Sequence, residues 1–504
     1  MPVQPTYPGV YVQEEASGVR TIVGVSTSTT LFIARAAWGP VEVPVLCLSY
    51  TDFERNFTSF STVGDLARSV KLFFLNGGTR CYILRIKNAS DPPVQTVKNI
   101  DTKMDVTAIY PGAIGNDIVV DISHPDPLAT TFDMRIYLKG ADEIERGIEE
   151  WREISMNNAH PRFVETYVRS NWISCNSTDN TRPAIGTYRI GTGAATAGTN
   201  GMTPRAEDYL NAYTIADKEI DLFNLLVLPK DANLAMETTS GANNDMIELW
   251  SDASGFCEKR RAFLLLDPPN NWNGNNVRAI QSTLADLKTG LVTDHSAIYF
   301  PNVKINDEGI EVFVSPAGAI AGLMTRIDTS RGVWKAPAGV EASLRGIRGL
   351  DYRLTDQENG VLNPLGINVL RAFPNGIVCW GARTMEGDDD SASEWKYIPV
   401  RRTASFIEQS LERGLKWVVF EPNDERLWGQ IRLNVGAFMH NLFMQGAFQG
   451  LKKSEAYFVK CDSETTTQND INLGIVNILV GFAPLKPAEF VILKLQQMSG
   501  QVNV

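Results

Sequence analysis

Apolar and polar positions alternate with two periods in the first part of the chain, and the change of period separates predicted strands from predicted helices. Residues 31–34 form a continuous apolar run that is typical of a buried strand. Residues 63–74 carry apolar side chains at helical spacing and are followed by Gly77 and Gly78, a usual helix stop. With a further strand at 81–86, this part predicts an alternating α/β unit.

Helical spacing becomes sparse after about residue 89. Short apolar runs at 118–122, 132–138 and 163–168 are separated by segments rich in Gly, Thr and Asn, notably 191–201. Short runs bounded by turn residues predict a β-rich insertion that ends in a flexible loop.

Strand and helix patterns alternate again after Pro204. Ser315 and Pro316 then provide an N-cap and a first helical residue for another helix. Strands spaced by helices predict a layered βαβ sheet. The strands are predicted at 222–228, 262–266 and 297–300, and the helices at 245–260 and 276–288.

The last third of the chain predicts an α+β domain. Residues 402–414 and 425–442 have helical spacing, and residues 455–461 and 474–482 have the composition of strands.

Both ends of the chain carry an isolated strand pattern flanked by prolines. Pro2, Pro5 and Pro8 forbid helix and favour extended backbone before the apolar residues 10–12. At the other end two prolines precede a predicted strand at 490–496. Such segments fray unless something holds them.

These patterns predict a multidomain chain of class α/β plus α+β, with a layered βαβ core, a β-rich outer insertion and extended terminal strand arms. The predicted divisions are an N-terminal arm at 1–20, a core at 21–95 with 206–343, the insertion at 96–205, an inner α+β domain at 344–485 and a C-terminal arm at 486–504.

Composition narrows the class of partner. A length of 504 residues allows roughly three domains. The formal net charge is −11 and no dense run of Lys and Arg occurs, so we expect no direct nucleic-acid binding. The first residues lack a basic and then apolar signal pattern, and the longest apolar stretch, 471–485, is too short to cross a bilayer. We therefore expect assembly in the cytoplasm and no stable membrane insertion.

The cysteines are far apart and form no CxxC pair, which predicts buried reduced thiols and not a disulfide framework. They are Cys47, Cys81, Cys175, Cys257, Cys379 and Cys461.

Catalytic motifs are missing from the sequence. The four histidines are not at metal-ligand spacing, and neither a Walker A loop nor a GxSxG elbow occurs. Asp267 and His295 follow the chain order of a hydrolase triad, so an α/β hydrolase stays as an alternative from another class. A binding module that uses the β-rich insertion is a third alternative. The acidic run at 386–390 lacks calcium-loop spacing and predicts a solvated loop. We expect no catalytic, cofactor or metal site.

A basic group lies on one predicted helix and its flanks, and it leaves two interpretations open. It is either a solvated helix face or an electrostatic contact to an acidic surface of another protein. Its members are Arg401, Arg402, Arg413 and Lys416.

Motifs along almost the whole chain resemble contractile tail sheath proteins. The most specific is residues 314–322 (VSPAGAIAG), which lead through Arg326, Asp328 and Arg331 to residues 332–339 (GVWKAPAG). The other matching segments are 7–14 (YPGVYVQE), 39–40 (GP), 74–78 (FLNGG), 110–117 (YPGAIGND), 363–368 (NPLGIN), 381–384 (GART), 397–402 (YIPVRR) and 417–423 (WVVFEPN).

The resemblance implies a structural subunit and not an enzyme. In that family, subunits form stacked hexameric rings around a tail tube, and the helical polymer contracts to drive the tube through the host envelope. The implied partners are copies of the chain, the tail tube protein, and baseplate and tail terminator proteins. The implied location is the virion tail, assembled in the host bacterial cytoplasm. A sheath of a headless, tail-derived bacteriocin is an alternative with the same subunit role.

The resemblance also implies roles for residues of this chain. The terminal strands would complete a sheet in neighbouring subunits, and the basic group would contact the tube. The implied arm residues are Gly9, Val10, Tyr11, Val12, Phe490, Val491, Ile492, Leu493, Lys494 and Leu495, and the candidate tube contacts are Arg401, Arg402, Arg413 and Lys416.

Overall fold

The computed structural model describes residues 21–60, 62–235, 246–272, 274–374 and 376–494. The strands are β1 (Thr30–Ala34), β2 (Val45–Cys47), β3 (Cys81–Arg85), β4 (Val97–Ile100), β5 (Met104–Ala108), β6 (Ile118–Ser123), β7 (Phe132–Lys139), β8 (Glu145–Ile154), β9 (Ile173–Ser177), β10 (Gly186–Arg189), β11 (Leu225–Val227), β12 (Phe263–Leu266), β13 (Ser296–Phe300), β14 (Val303–Asp307), β15 (Ile310–Val314), β16 (Gly349–Leu350), β17 (Ile367–Phe373), β18 (Gly376–Cys379), β19 (Tyr457–Lys460) and β20 (Leu479–Phe482). The α-helices are α1 (Tyr50–Phe57), α2 (Leu66–Leu75), α3 (Val164–Tyr167), α4 (Ala206–Glu219), α5 (Glu248–Arg260), α6 (Val277–Lys288), α7 (Ala317–Arg331), α8 (Asp356–Leu362), α9 (Ile398–Gly414), α10 (Glu425–Met444), α11 (Lys453–Ala456) and α12 (Gln468–Asn472).

An eight-stranded sheet organises the first of two units, which comprises residues 26–331 and 337–398. Its strand order is β18-β17-β13-β12-β11-β1-β3-β2. The six inner strands are parallel, and the two edge strands, β18 and β2, pair antiparallel with their neighbours. Parallel strands need crossover connections, and the helices between them supply these.

Both faces of this sheet are buried, because successive side chains point to opposite faces. In β1, Leu31 and Ile33 join one apolar cluster with residues of α4, α5, α6 and α8, whereas Phe32 and Ala34 join another with residues of α1, α2 and α7. A run that is apolar at every position therefore marks a strand covered on both sides. The predicted mixed α/β class is confirmed.

The β-rich part consists of a four-stranded sheet of order β10-β6-β7-β8 and a three-stranded sheet of order β4-β5-β9 around a common core. The apolar run at 163–168, which contributed to the prediction of a β-rich insertion, is not a strand, since Val164–Tyr167 form the short helix α3. Val164 and Val168 are both buried, and four-residue spacing places them on the same side of a helical turn.

The observed division of the chain differs from the predicted one near residue 344. Residues 344–398 belong to the unit of the eight-stranded sheet, because β17 pairs with β13 from Ile298–Ile367 to Phe300–Val369. A small sheet of order β15-β14-β16 also lies in this unit.

The second unit comprises residues 21–25, 332–336 and 399–494 of the described chain. It contains α9 and α10, as predicted, and the two-stranded antiparallel sheet of β19 and β20. The strand predicted at 455–461 begins as the helix α11, and the strand predicted at 474–482 is confined to its last four residues. Within the described ranges, no helix is long and apolar enough to cross a membrane.

Candidate assembly surfaces

The most specific sequence motif lies in the core of the first unit. Helix α7 is buried along most of its length, and its glycines lie against α2. A Cβ atom at Gly318 would lie 2.5 Å from the carbonyl oxygen of Ser69, and one at Gly322 would lie 2.2 Å from that of Phe73. The small residues thus allow a close crossing of two helices within one subunit.

Asp267 holds the start of this helix. Its Oδ1 accepts a hydrogen bond of 2.9 Å from the backbone N–H of Ala317. Burial raises the pKa of the Asp267 carboxyl to about 7. His295 is bonded instead to Asp294, with 3.0 Å between Nδ1 and Oδ1.

Asp267 and His295 lie at opposite ends of two neighbouring strands of the eight-stranded sheet. Leu264 of β12 is paired with Ser296 of β13, so Asp267 follows its strand where His295 precedes its own. An offset of four residues along parallel strands separates them by roughly 13 Å. They do not form a catalytic pair.

Hydrogen bonds of Arg326 and Asn76 connect the motif that contains α7 to the motif at 74–78. Arg326 donates through Nη1 to the carbonyl oxygen of Asn76 over 3.1 Å and through Nη2 to that of Ser343. The Asn76 Oδ1 accepts from the backbone N–H of Arg345 over 2.8 Å. These polar groups join the C-terminal end of α2 to the segment after α7.

The segments around Asn368 and Arg383 also bind each other. Asn368 Oδ1 accepts from the backbone N–H of Arg383, and its Nδ2 donates to the Arg383 carbonyl oxygen, both over 2.7 Å. The Arg383 side chain forms an ion pair of 2.9 Å with Asp389, and Asp388 forms one of 3.0 Å with Lys288. The acidic run is thus tied to nearby cations, and the described residues contain no cluster suited to a metal ion.

Arg85 joins the sheet to the β-rich part. Its guanidinium donates to the carbonyl oxygens of Gly39 and Pro111 over 2.5 and 2.7 Å. Burial lowers its pKa to about 9. Gly112 has φ +148, and a Cβ there would lie 2.2 Å from the carbonyl oxygen of Ala37. The motifs at 39–40 and 110–117 therefore meet at one junction.

Exposed apolar side chains are concentrated in the second unit. The sheet of β19 and β20 packs against α10 through the buried Tyr457, whose hydroxyl donates to the carbonyl oxygen of Gly436 over 3.4 Å. Neither strand has a second partner strand among the described residues. Two strands alone are marginally stable, and an open edge is a template for another strand. The large apolar residues exposed in this unit before the C-terminal segment are Val23, Val419, Phe420, Leu433, Met444, Leu451, Phe458, Leu473, Ile475 and Leu479.

The predicted C-terminal arm is exposed where the structure describes it. Phe490, Val491, Ile492 and Leu493 are 74, 88, 82 and 79% exposed. Residues 490–494 pair with no strand in the described part of the chain, whereas Leu495 lies outside it. Strand formation by these residues with a neighbour stays a prediction.

The N-terminal arm residues Gly9, Val10, Tyr11 and Val12 also lie outside the described residues. The described chain begins beside α9. A Cβ at Gly414 would lie 2.6 Å from Ile22, and the backbone N–H of Val25 donates to Ser410 Oγ over 3.2 Å.

The basic group of α9 is only partly exposed. Arg401 and Arg402 are buried, at 6 and 5% exposure, and Arg401 forms an ion pair of 2.8 Å with Glu408. Arg413 is half-buried and Lys416 is exposed. Of the four candidate tube contacts, only Arg413 and Lys416 are therefore accessible to a partner protein in the single subunit.

The loop after α9 carries a surface feature that the sequence argument missed. Phe420 is fully exposed and has φ 70, a conformation that costs a non-glycine residue about 1–2 kcal/mol. The loop is held firmly, because Asn423 accepts from Trp428 Nε1 over 2.8 Å and donates to the carbonyl oxygen of Ile475 over 3.0 Å. The sequence signal was the apolar run before Pro422, which resembles a buried segment.

A chain with an open sheet edge and an exposed apolar segment at 490–493 has the surface typical of a subunit that binds other chains. It belongs to the contractile phage tail sheath family. The family model for the phage tail sheath protein central domain matches residues 203–385, and the model for the phage tail sheath C-terminal domain matches residues 390–498. Together they cover more than half of the chain.

Two curated relatives carry the same family name. A prophage major tail sheath protein of Pseudomonas aeruginosa is 26% identical over 242 residues, which are 47% of this chain and 58% of that protein. The tail sheath protein of Vibrio phage KVP40 is 24% identical over 323 residues, or 60% of this chain and 45% of the other. The match thus spans about half the length of these relatives.

Solved structures share the fold over nearly the full chain. The sheath tail protein of Desulfitobacterium hafniense superposes with a TM-score of 0.62 at 14% identity, covering 90% of this chain and 93% of that one. The helical sheath of the anti-feeding prophage in the contracted state gives a TM-score of 0.60 at 24% identity, covering 98 and 99%.

Proposed function

We propose that this chain is the structural subunit of a contractile tail sheath. It polymerises as stacked rings around the tail tube, and contraction of the polymer drives the tube through the host envelope. Family membership supports this function. The observation that carries it is the open two-stranded sheet of β19 and β20 in a unit that also exposes an apolar C-terminal segment.

The C-terminal segment of one subunit adds a strand to the sheet of β19 and β20 in a neighbour. Backbone N–H and C=O groups at the open edge supply affinity, and alternate side chains supply specificity. Residues 486–494 can span roughly 30 Å when extended, and residues 1–20 can span roughly 60–70 Å. Either arm is long enough to reach an adjacent subunit.

Docking of the C-terminal arm is favourable in free energy, but only moderately so. Full burial of a large apolar side chain contributes about 1.5–3 kcal/mol. Ordering the backbone opposes this by about 1–2 kcal/mol per residue. Such an arm is a tether that holds during movement, and the larger part of the lattice energy comes from other contacts.

Contraction is a collapse of a metastable extended lattice into a shorter and wider one. The subunits move nearly as rigid bodies, and the arms act as hinged connections. A gain of about 1 kcal/mol per subunit suffices because it is repeated in every copy. The extended lattice persists as a kinetically trapped state.

The proposed partners are further copies of the chain, the tail tube, the baseplate and the tail terminator. Arg413 and Lys416 remain the candidate tube contacts. The proposed location is the virion tail, assembled in the host bacterial cytoplasm. A headless, tail-derived particle stays an alternative with the same subunit role, and capsid genes beside this gene would favour the phage.

Docking of the C-terminal segment as a strand can be tested, because the side chains of a strand alternate between its two faces. Successive side chains of a strand point to opposite faces, so Phe490 and Ile492 would share one face and Val491 and Leu493 the other. Aspartate at both positions of the face turned to the neighbour should abolish tubes in negative-stain microscopy. Aspartate at both positions of the other face should leave them largely intact.

Each double variant is the control for the other, since both add two charges to the same exposed segment. Both should unfold at the wild-type urea concentration, because these side chains are exposed in the single subunit. Normal tubes from both variants would refute docking of this arm.

A further inference from the structure

Two cysteines lie directly opposite each other at one edge of the eight-stranded sheet. The antiparallel register of β2 and β3 pairs Val45 with Ile83, Leu46 with Tyr82 and Cys47 with Cys81. Opposed residues project to the same face. Both cysteine side chains are 0% exposed and belong to one apolar cluster.

The backbone spacing fits a disulfide. Opposed Cα atoms of antiparallel strands are about 4.5–5.5 Å apart. A disulfide spans Cα distances of about 4.4–6.8 Å. Burial raises the pKa of the Cys81 thiol, and the neighbouring Cys47 thiol adds to the rise, which is consistent with the closeness of the two side chains. Rotation of the side chains therefore suffices to form the bond.

The other cysteines have no such partner. Cys175 is paired across the strands with Val106, and Cys379 with Leu370. Cys257 lies in α5, and Cys461 follows β19. All six thiols are free and buried, so opposition across the strands distinguishes this pair and burial does not.

We propose that Cys47 and Cys81 are a disulfide-forming site whose oxidant is a small-molecule disulfide such as glutathione disulfide. One cysteine thiolate attacks glutathione disulfide and releases one glutathione thiolate. The second cysteine thiolate attacks the mixed disulfide and releases the other. The two protons lost by the cysteines pass to the two glutathione molecules, so the pair is oxidised by two electrons and the oxidant is reduced by two.

Access requires local opening of the edge. Burial raises the pKa of the Cys47 thiol to about 12, so the closed sheet protects it as a thiol. Strand β2 has three residues and one partner strand among the described residues, and short edge strands open more readily than central ones. The pair stays reduced where cellular thiols are abundant and closes in an oxidising medium outside the cell. This site does not depend on the proposed function.

The test uses the full-length reduced chain incubated with glutathione disulfide. We expect the mass to fall by about two units. Two of the six thiols should resist alkylation after denaturation, and a non-reducing digest should contain a peptide pair joined at Cys47 and Cys81. The oxidised chain should melt a few degrees higher, since the crosslink restricts the unfolded state.

The variants Cys47→Ala and Cys81→Ala should lose the mass change and the rise in melting temperature, whereas Cys379→Ala should keep both. The digest of the wild-type chain decides the matter even where a variant fails to fold. Six alkylated thiols after oxidation, a stable glutathione adduct or a disulfide between other cysteines would each overturn the proposal.

Discussion

Because α2 and α7 cross closely, we predict that a glycine-to-alanine change in α7 lowers stability, whereas such a change in a helix usually raises it. In an open helix position this change stabilises by about 1 kcal/mol. In Gly322→Ala the new methyl group would lie 2.2 Å from the carbonyl oxygen of Phe73, whereas ordinary contact begins at 3.4 Å. The obstacle is backbone, so the helices must separate by about an ångström. Overpacking of this kind costs about 1–3 kcal/mol. We expect a net loss of stability of up to about 2 kcal/mol.

Gly255→Ala is the matched control, because Gly255 also lies within a helix of the first unit and nothing is within 4 Å of its added Cβ. Urea unfolding of the purified chains, followed by circular dichroism, gives both midpoints. Gly322→Ala should unfold at lower urea than the wild type, and Gly255→Ala at the same or higher urea. A Gly322→Ala protein as stable as the control would refute the close crossing as the reason for the motif.

A buried carboxyl group and a buried ion pair give further predictions. The pKa of Asp267 is about 7 in the folded state and 3.8 in the free group. Between these pH values the folded state retains a proton that the unfolded state releases. Stability should therefore fall as the pH rises from about 4 to 7, by at most about 1.4 kcal/mol per pH unit. Asp267→Asn keeps an oxygen for the N–H of Ala317 and should remove this slope; urea midpoints that fall equally in both proteins would contradict it. Arg35 and Asp231 form a buried ion pair of 2.8 Å, so Arg35→Met should cost about 3–5 kcal/mol by leaving a buried charge unpaired. Arg35→Met with Asp231→Leu should recover most of that loss in the same assay, and a double variant no more stable than the single one would contradict this account.

The spacing of apolar residues and the helix-start residues were sufficient to predict the parallel strands and helices of the core. The apolar run of β1 and the Ser315–Pro316 start of α7 appear at the predicted positions, because burial on both faces leaves a continuous pattern. The charged strand β8 was not predicted, since it lies at a sheet edge and takes its conformation from pairing with β7. Local propensity cannot reveal a strand that is defined by its neighbour.

The surfaces were less predictable than the core. Arg401 and Arg402 have the composition of an exposed patch, yet the fold buries them. Phe420 is apolar and would be placed inside on composition alone, but a left-handed backbone turns it outward. The opposition of Cys47 and Cys81 depends on strand register, which the separation of the two residues along the chain does not specify.

An electron cryomicroscopy map of the wild-type polymer would reveal directly whether a sheet is shared between subunits. We predict that residues 490–494 of one subunit run as a strand along β19 or β20 of another, with backbone hydrogen bonds between the two chains. A map in which the ends of every subunit fold onto that same subunit, with no sheet shared between chains, would contradict the account.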